Sequence, residues 1–136
     1  MIMNKRVGLW IDHGKAILIS ITEDGEERSI VTSALEHYLN YSSTKPRGEL
    51  PEDVRDRRYW DHLDKYYDKV LVYLQDAEAV QIFGPGEAKY ELKKRLQDVG
   101  FSAYSITVEN ADKLTDHQIA QKVRARFPIR SQYDIF

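Results

Sequence analysis

The sequence predicts a single α/β domain in which packed helices cover one mixed, five-stranded sheet. Its 136 residues suit one domain. The first third of the chain contains β-type segments separated by short turns, and the rest alternates short apolar runs with segments of helical period. Strands that alternate with helices are typical of parallel neighbours joined by right-handed crossovers.

Three strands are predicted at the start of the chain. The first two, residues 6–12 and 15–22, alternate apolar and other side chains. The apolar positions are Val7, Leu9 and Ile11 in the first strand, and Ile17, Ile19 and Ile21 in the second. His13-Gly14 and residues 23–26 provide hairpin turns, and the β-branched segment 28–34 forms the third strand. We therefore expect an antiparallel meander.

Three helices and two strands follow. Apolar residues recur every three or four positions up to Leu74, in a helix that begins near residue 59 or as early as Pro51. A second helix ends at Gly100. The third begins at a capping box formed by Thr115 and Gln118, and Pro128 stops it. Residues 79–83 and 102–109 are the two remaining strands.

The resulting order, βββ-α-β-α-β-α, is the layout of ribonuclease H-like folds. A single mixed sheet accommodates both the meander and the parallel strands. Prolines, a glycine and dense charge interrupt the pattern after Tyr38, so we expect a long loop, mobile around residues 40–57.

Composition limits the classes of function. The net charge of -2 provides no global attraction for nucleic acid, so any basic surface must be local. There are no cysteines, which excludes disulfides and thiolate chemistry. No segment approaches the length of a signal peptide core or a membrane helix, so we expect a cytoplasmic protein without a membrane partner. No cofactor is expected.

The most distinctive motif is Phe-Gly-Pro-Gly-Glu-Ala-Lys, residues 83–89, between a strand and a helix. Backbone N–H groups and the dipole at a helix start favour anions, and glycines allow a ligand to approach the backbone closely. However, the motif lacks the Walker pattern, and Glu87 places a negative charge where a phosphate would bind. The motif therefore predicts either a simple strand-to-helix turn or an anion contact.

Basic residues form local groups that are candidates for contact with RNA or another anion. These candidates are Lys45, Arg47, Arg55, Arg57 and Arg58 in and after the loop, Gly84, Gly86 and Lys89 in the turn, and Arg124 and Arg126 near the C-terminus. Tyr59 and Trp60, close to the first group, can stack on bases. Acidic residues interleave the loop arginines, so an ordinary ion-paired surface is the alternative.

Carboxylates at strand ends raise an enzymatic alternative. Ribonuclease H-like nucleases hold two Mg²⁺ ions with such groups, and Asp12, Glu109 and Asp112 lie at predicted strand ends. Phe83-Gly84 leaves the end of the fourth strand without a carboxylate. None of the four histidines is paired at metal-ligand spacing. We therefore expect no catalytic residues and no metal site, and keep the nuclease as an alternative.

The motifs around the two later strands resemble a known family. Gly-Pro-Gly-Glu-Ala-Lys and the strand exit Ser-Ile-Thr-Val-Glu-Asn-Ala-Asp, residues 105–112, are similar to those of small bacterial release-factor-like, or translational-machinery, proteins. That family is related to the central domain of archaeal and eukaryotic peptide-chain release factors and of Pelota, a ribosome-rescue factor. The resemblance implies one domain of this type over residues 1–136.

The resemblance also implies a function without peptide release. Release factors of this type carry the tripeptide Gly-Gly-Gln in a loop before the long helix. The matching stretch here, residues 42–58, contains a single glycine, Gly48, and no glutamine. Pelota relatives also lack the tripeptide and act by binding ribosomes. The expected function is therefore non-catalytic binding to the ribosome or structured RNA. A homo-oligomeric interaction protein with no RNA role is a further alternative, because exposed tyrosines favour interfaces.

Overall fold

The computed structural model describes residues 5–33, 52–101, 103 and 105–128, with side chains from residue 57 onward in the first helix. It contains five strands and three helices. The strands are β1 (Lys5–Ile11), β2 (Lys15–Thr22), β3 (Gly25–Thr32), β4 (Ala77–Gly84) and β5 (Ser105–Asn110). The helices are α1 (Glu52–Leu74), α2 (Ala88–Asp98) and α3 (Asp116–Arg126). The predicted order βββ-α-β-α-β-α is confirmed.

The five strands form one mixed sheet in the order β3-β2-β1-β4-β5. β1, β2 and β3 pair antiparallel, whereas β4 pairs parallel with both β1 and β5. Leu9 in β1 is opposite Leu18 in β2 and Ile82 in β4, which places the first strand of the chain at the centre. The predicted single α/β domain with a five-stranded mixed sheet is thus confirmed.

Helices cover both faces of the sheet. α1 and α2 pack on the face that carries Leu9 and Ile82, with Leu63 and Leu92 in the same core. α3 packs on the other face against Trp10 and the three isoleucines of β2, Ile17, Ile19 and Ile21. The apolar sets predicted for β1 and β2 therefore lie on opposite faces. Because both faces are buried, the alternate positions of these strands are also apolar, as in Trp10 and Leu18.

The close fit of α3 requires a glycine in β1. A Cβ atom at Gly8 would lie 2.4 and 2.8 Å from the two γ-methyl groups of Val123. Those distances are too short for any real side chain, so Gly8 sets how closely the helix approaches the sheet. At the other end of α3, the predicted capping box is present: the Thr115 hydroxyl accepts the Gln118 backbone N–H, and the Gln118 side chain accepts the Thr115 backbone N–H.

Several element bounds differ from the prediction. β3 begins at Gly25 rather than residue 28, because Gly25 already pairs with Thr22 across the turn. β5 begins at Ser105 rather than residue 102. α1 begins at Glu52, the earlier of the two predicted starts, so residues 52–57 of the predicted loop are helical. The rest of that loop lies outside the described residues. No helix in the described part of the chain has the length and apolar character needed to cross a bilayer.

Candidate functional site at the carboxyl edge of the sheet

The three parallel strands end side by side at one edge of the sheet, here called the carboxyl edge. Their last residues are Ile11, Gly84 and Asn110, in β1, β4 and β5. Ligands of open α/β sheets bind preferentially at this edge, because loops from several strands converge there. Here those loops are the hairpin turn 12–14, the turn 85–87 and residues 111–115.

Gly84 joins two of these strand exits closely. Its φ angle is 153°, and a Cβ atom at this position would lie 2.2 Å from the Ile11 carbonyl oxygen. The Gly84 carbonyl also accepts the Ala111 backbone N–H at 3.1 Å. The backbone conformation and the close contact both require glycine at position 84. The geometry of the turn therefore explains why this candidate residue is a glycine.

Lys89, a second candidate in the turn, is a core residue. It is 1% exposed, its ammonium donates a hydrogen bond to the Gly86 carbonyl, and it lies 4.7 Å from the centre of the Tyr90 ring. An ammonium held inside the turn in this way does not face an incoming anion. Gly86 itself is exposed, with a φ angle of 65°. The helix start at Glu87 has no side-chain cap.

A polar cluster connects the first hairpin turn to both helices on the α1 and α2 face. One oxygen of the Glu91 carboxylate accepts the Tyr67 hydroxyl at 2.6 Å and lies 2.9 Å from His13 Nε2. Burial, followed by the hydrogen bond to Glu91, raises the pKa of Tyr67, so this phenol stays protonated as a donor. Tyr59 extends the cluster, with edge-on ring contacts to His13 and Trp60.

A second tyrosine ties α1 to the end of β1. The Tyr66 hydroxyl donates to the Asp12 carbonyl oxygen at 2.9 Å. Burial, with a contribution from the Asp12 charge, raises the pKa of Tyr66. The Asp12 side chain caps its own turn by accepting the Gly14 and Lys15 backbone N–H groups at 2.7 and 2.8 Å. The middle of α1 is thereby fixed above the carboxyl edge.

A groove of about 320 Å³ opens between α1 and α2 next to this cluster. We call it the α1–α2 groove. It is lined chiefly by Trp60 and Asp64 of α1 and by Glu91, Lys94, Arg95 and Asp98 of α2. The Trp60 side chain is among the large apolar groups left exposed, at 50%. The sequence predicts Trp60 as a stacking residue but does not predict the groove, because its two walls lie about thirty residues apart in the chain.

The carboxylates of the nuclease alternative do not converge. Asp12 caps a turn, and the Glu109 carboxylate pairs with the Lys122 ammonium at 2.9 Å. That pairing lowers the pKa of Glu109, opposed by partial burial and aided by a hydrogen bond from Gln81. Asp112 accepts the Trp10 indole N–H through its backbone carbonyl at 3.0 Å. Within the described residues, no three His, Asp or Glu side chains come together as a metal site.

The basic candidates that the structure describes lie on two faces. Arg57 and Arg58 are exposed on α1, whereas Arg124 and Arg126 are exposed on α3, across the sheet. Lys45, Arg47 and the side chain of Arg55 lie outside the described residues. The described candidates therefore do not form one continuous patch.

The C-terminal pair already has local partners. The Arg124 guanidinium makes two hydrogen bonds, of 2.6 and 2.8 Å, to the Glu26 carboxylate. This pairing lowers the pKa of Glu26. Arg126 lies 5.5 Å from the centre of the Phe127 ring. Arg124 thus lies in a local ion pair, whereas the ion-paired surface predicted around the loop arginines lies largely outside the described residues.

Solved structures of Pelota proteins are similar to this fold. The Pelota protein of Thermoplasma acidophilum matches with a TM-score of 0.54 and 16% sequence identity, over 90% of this chain and 32% of that one. Pelota of Archaeoglobus fulgidus matches with a TM-score of 0.53 and 16% identity, over 90% of this chain and 31% of that one. This chain thus spans about a third of the length of each Pelota protein. No family model and no curated protein match the sequence.

Proposed function

We propose that this domain is a translation-associated binding module that contacts the ribosome or structured RNA without hydrolysing peptidyl-tRNA. The observation that carries the proposal is the Pelota-like fold over 90% of the chain. The motif resemblance to small bacterial release-factor-like proteins supports the same function. That this chain belongs to their family is part of the proposal.

A binding role rather than catalysis is supported by two observations. Residues 42–58 contain no glutamine and one glycine, so the Gly-Gly-Gln tripeptide is missing from the matching stretch. Two carboxylates near the carboxyl edge already have structural partners, because Asp12 caps its own turn and Glu109 pairs with Lys122.

We favour the carboxyl edge, on the face covered by α1 and α2, as the surface that contacts the ribosome or RNA. α2 begins at this edge, where its free N–H groups favour negative charge. Arg58 is exposed there, and Gly86 leaves the outer side of the turn open. Arg124 and Arg126 lie across the sheet from this surface, and Arg124 is already paired with Glu26, so the proposed contact does not include them.

Sedimentation with ribosomes tests the proposal. Purified protein is spun with ribosomes through a sucrose cushion, from about 50 mM to about 300 mM salt, because contacts to phosphate weaken steeply with salt. We expect co-sedimentation at low salt that falls as salt rises. Charge reversal of Arg57 and Arg58 should weaken it severalfold, and reversal of Arg124 and Arg126 is the matched control across the sheet. Protein that stays in the supernatant at the lowest salt would contradict the proposal.

A further inference from the structure

We propose that the α1–α2 groove binds a cationic side chain, arginine or lysine, carried by a basic segment of a protein partner. The inference rests on the proposed function for its biological setting and gives this surface a partner class of its own. At this groove the ribosome-bound domain would contact basic protein rather than RNA.

Trp60 provides the apolar part of the site. Half of its surface is exposed, and its ring is held edge-on against Tyr59 at a centroid distance of 5.5 Å. A ring fixed in this way and open to solvent offers a face to a guanidinium or ammonium group. Such cations bind tryptophan faces better than those of other aromatic residues.

The charges around the groove favour a positively charged ligand. Three carboxylates line it, those of Asp64, Glu91 and Asp98, against two cations. One cation is already engaged, because Arg95 makes hydrogen bonds of 2.7 and 3.1 Å to Asp68 outside the lining. Asp64 and Asp98 act on that guanidinium only at a distance, and neither forms an ion pair within the described part of the chain.

Glu91 adds a carboxylate whose position is fixed. The Tyr67 hydroxyl and His13 both hold one of its oxygens, Oε1. Because the carboxylate has several lone pairs, a ligand cation can share it without breaking either contact. Lys94 alone does not offset the negative charge. A nucleotide could stack on Trp60, but its phosphates would approach Asp64 and Asp98, so the groove favours a cation.

NMR can follow the groove directly, because the chain has two tryptophans in opposite environments. The probe is an acetylated, amidated peptide of glycine–arginine repeats, added to ¹⁵N-labelled protein. We expect the Trp60 indole signal to shift saturably. The Trp10 indole, buried and bonded to the Asp112 carbonyl, should stay in place as the internal control. The same peptide with citrulline replacing arginine keeps the shape, removes the charge and should bind at least about threefold more weakly.

Pairs of variants and matched controls test which residues bind the peptide. Asp64→Asn with Asp98→Asn should weaken peptide binding by about tenfold, because each removes one carboxylate from the groove. Asp61→Asn with Glu23→Gln removes the same charge from exposed positions outside the lining and should change it by less than about twofold. Trp60→Leu should weaken binding by about two- to fivefold, and Tyr73→Leu, an exposed aromatic outside the groove, should not.

Three results would overturn the inference. They are an unmoved Trp60 signal, equal binding of the citrulline peptide, and a preferential Trp60 shift with a single-stranded uridine oligomer, which would assign the groove to RNA. Ribosome sedimentation separates this inference from the proposed function. Peptide binding without co-sedimentation would contradict the proposed function but support cation binding in the groove. Co-sedimentation without peptide binding would contradict cation binding in the groove but support the proposed function.

Discussion

The Tyr67 hydroxyl donates a 2.6 Å hydrogen bond to the Glu91 carboxylate and so joins α1 to α2 above the carboxyl edge. The phenol is 3% exposed, and Glu91 contacts His13 through the same oxygen. One carboxylate thus links both helices and the first hairpin turn. The wall of the α1–α2 groove is therefore a fixed part of the fold.

Tyr67→Phe should lower the free energy of unfolding by about 1–3 kcal/mol, because a buried bond to a charged acceptor is lost while the ring is kept. Urea unfolding at neutral pH measures the change. Tyr73→Phe is the matched control, since Tyr73 is 40% exposed and should change stability by less than about 0.5 kcal/mol. Equal effects of the two substitutions would contradict a structural role for the Tyr67–Glu91 bond.

Gly84→Ala should destabilise the domain by about 3 kcal/mol or more, because the added methyl group collides with the Ile11 carbonyl in a conformation reserved for glycine. Gly86→Ala is the control in the same turn. It also has a positive φ angle, but its side faces open space, so we expect a cost of about 1 kcal/mol. Thermal or urea unfolding distinguishes them, and similar losses would rule out the contact as the cause.

Gly8→Ala should cost about 1–3 kcal/mol, because its methyl group overlaps both γ-methyl groups of Val123. Val123→Ala alone should also destabilise, by leaving a cavity under α3. The double variant should lose less than the sum of the two single losses, since the smaller helix residue makes room for the larger strand residue. Strict additivity in urea unfolding would show that the two positions do not compete for space.

The Glu109–Lys122 pair should make stability depend on acid. The folded-state pKa of Glu109 is lowered, chiefly by Lys122. The pair therefore stabilises the fold above the unfolded pKa of Glu109, near 4.5, and this contribution is lost as pH falls through the folded value. Lys122→Met should reduce the difference in unfolding free energy between neutral pH and about pH 3 by less than about 1 kcal/mol, since both groups are partly exposed.

Lys113→Met is the control for this pH series, because Lys113 is exposed and has the same charge and length. It should leave the pH dependence of the unfolding free energy unchanged. If both lysine variants alter that dependence equally, the effect comes from net charge rather than from the pair.

The fold was predictable because its signals are local. Gly100 ends α2, and Thr115 with Gln118 caps α3, within a few residues of each helix terminus. The face of each strand was harder to predict, since β1 and β2 are covered on both sides and their apolar positions are not restricted to one of them. The start of β3 depends on pairing across its hairpin turn and that of β5 on pairing with β4, and periodicity reports neither.

The candidate site was less predictable because its contacts span the chain. The sequence identifies His13 only as a lone histidine in a turn, although its partner Glu91 follows 78 residues later. Lys89 has a charged side chain but is buried, and no local sequence pattern indicates its burial. Arg57, Arg58, Arg124 and Arg126 are exposed, but their separation by the sheet emerges only from the packing of α1 and α3.

The central position of β1 also affects how the chain is made. During synthesis Leu9 can pair with Leu18 almost at once, but its other neighbour, Ile82, emerges much later. Until β4 is available, the nascent hairpin presents one unpaired, apolar strand edge, the kind of edge that recruits foreign strands. A protein truncated before Ala77 would keep that edge for its lifetime. The insertion of β4 beside β1 thus has to precede the pairing of β5, which completes the sheet.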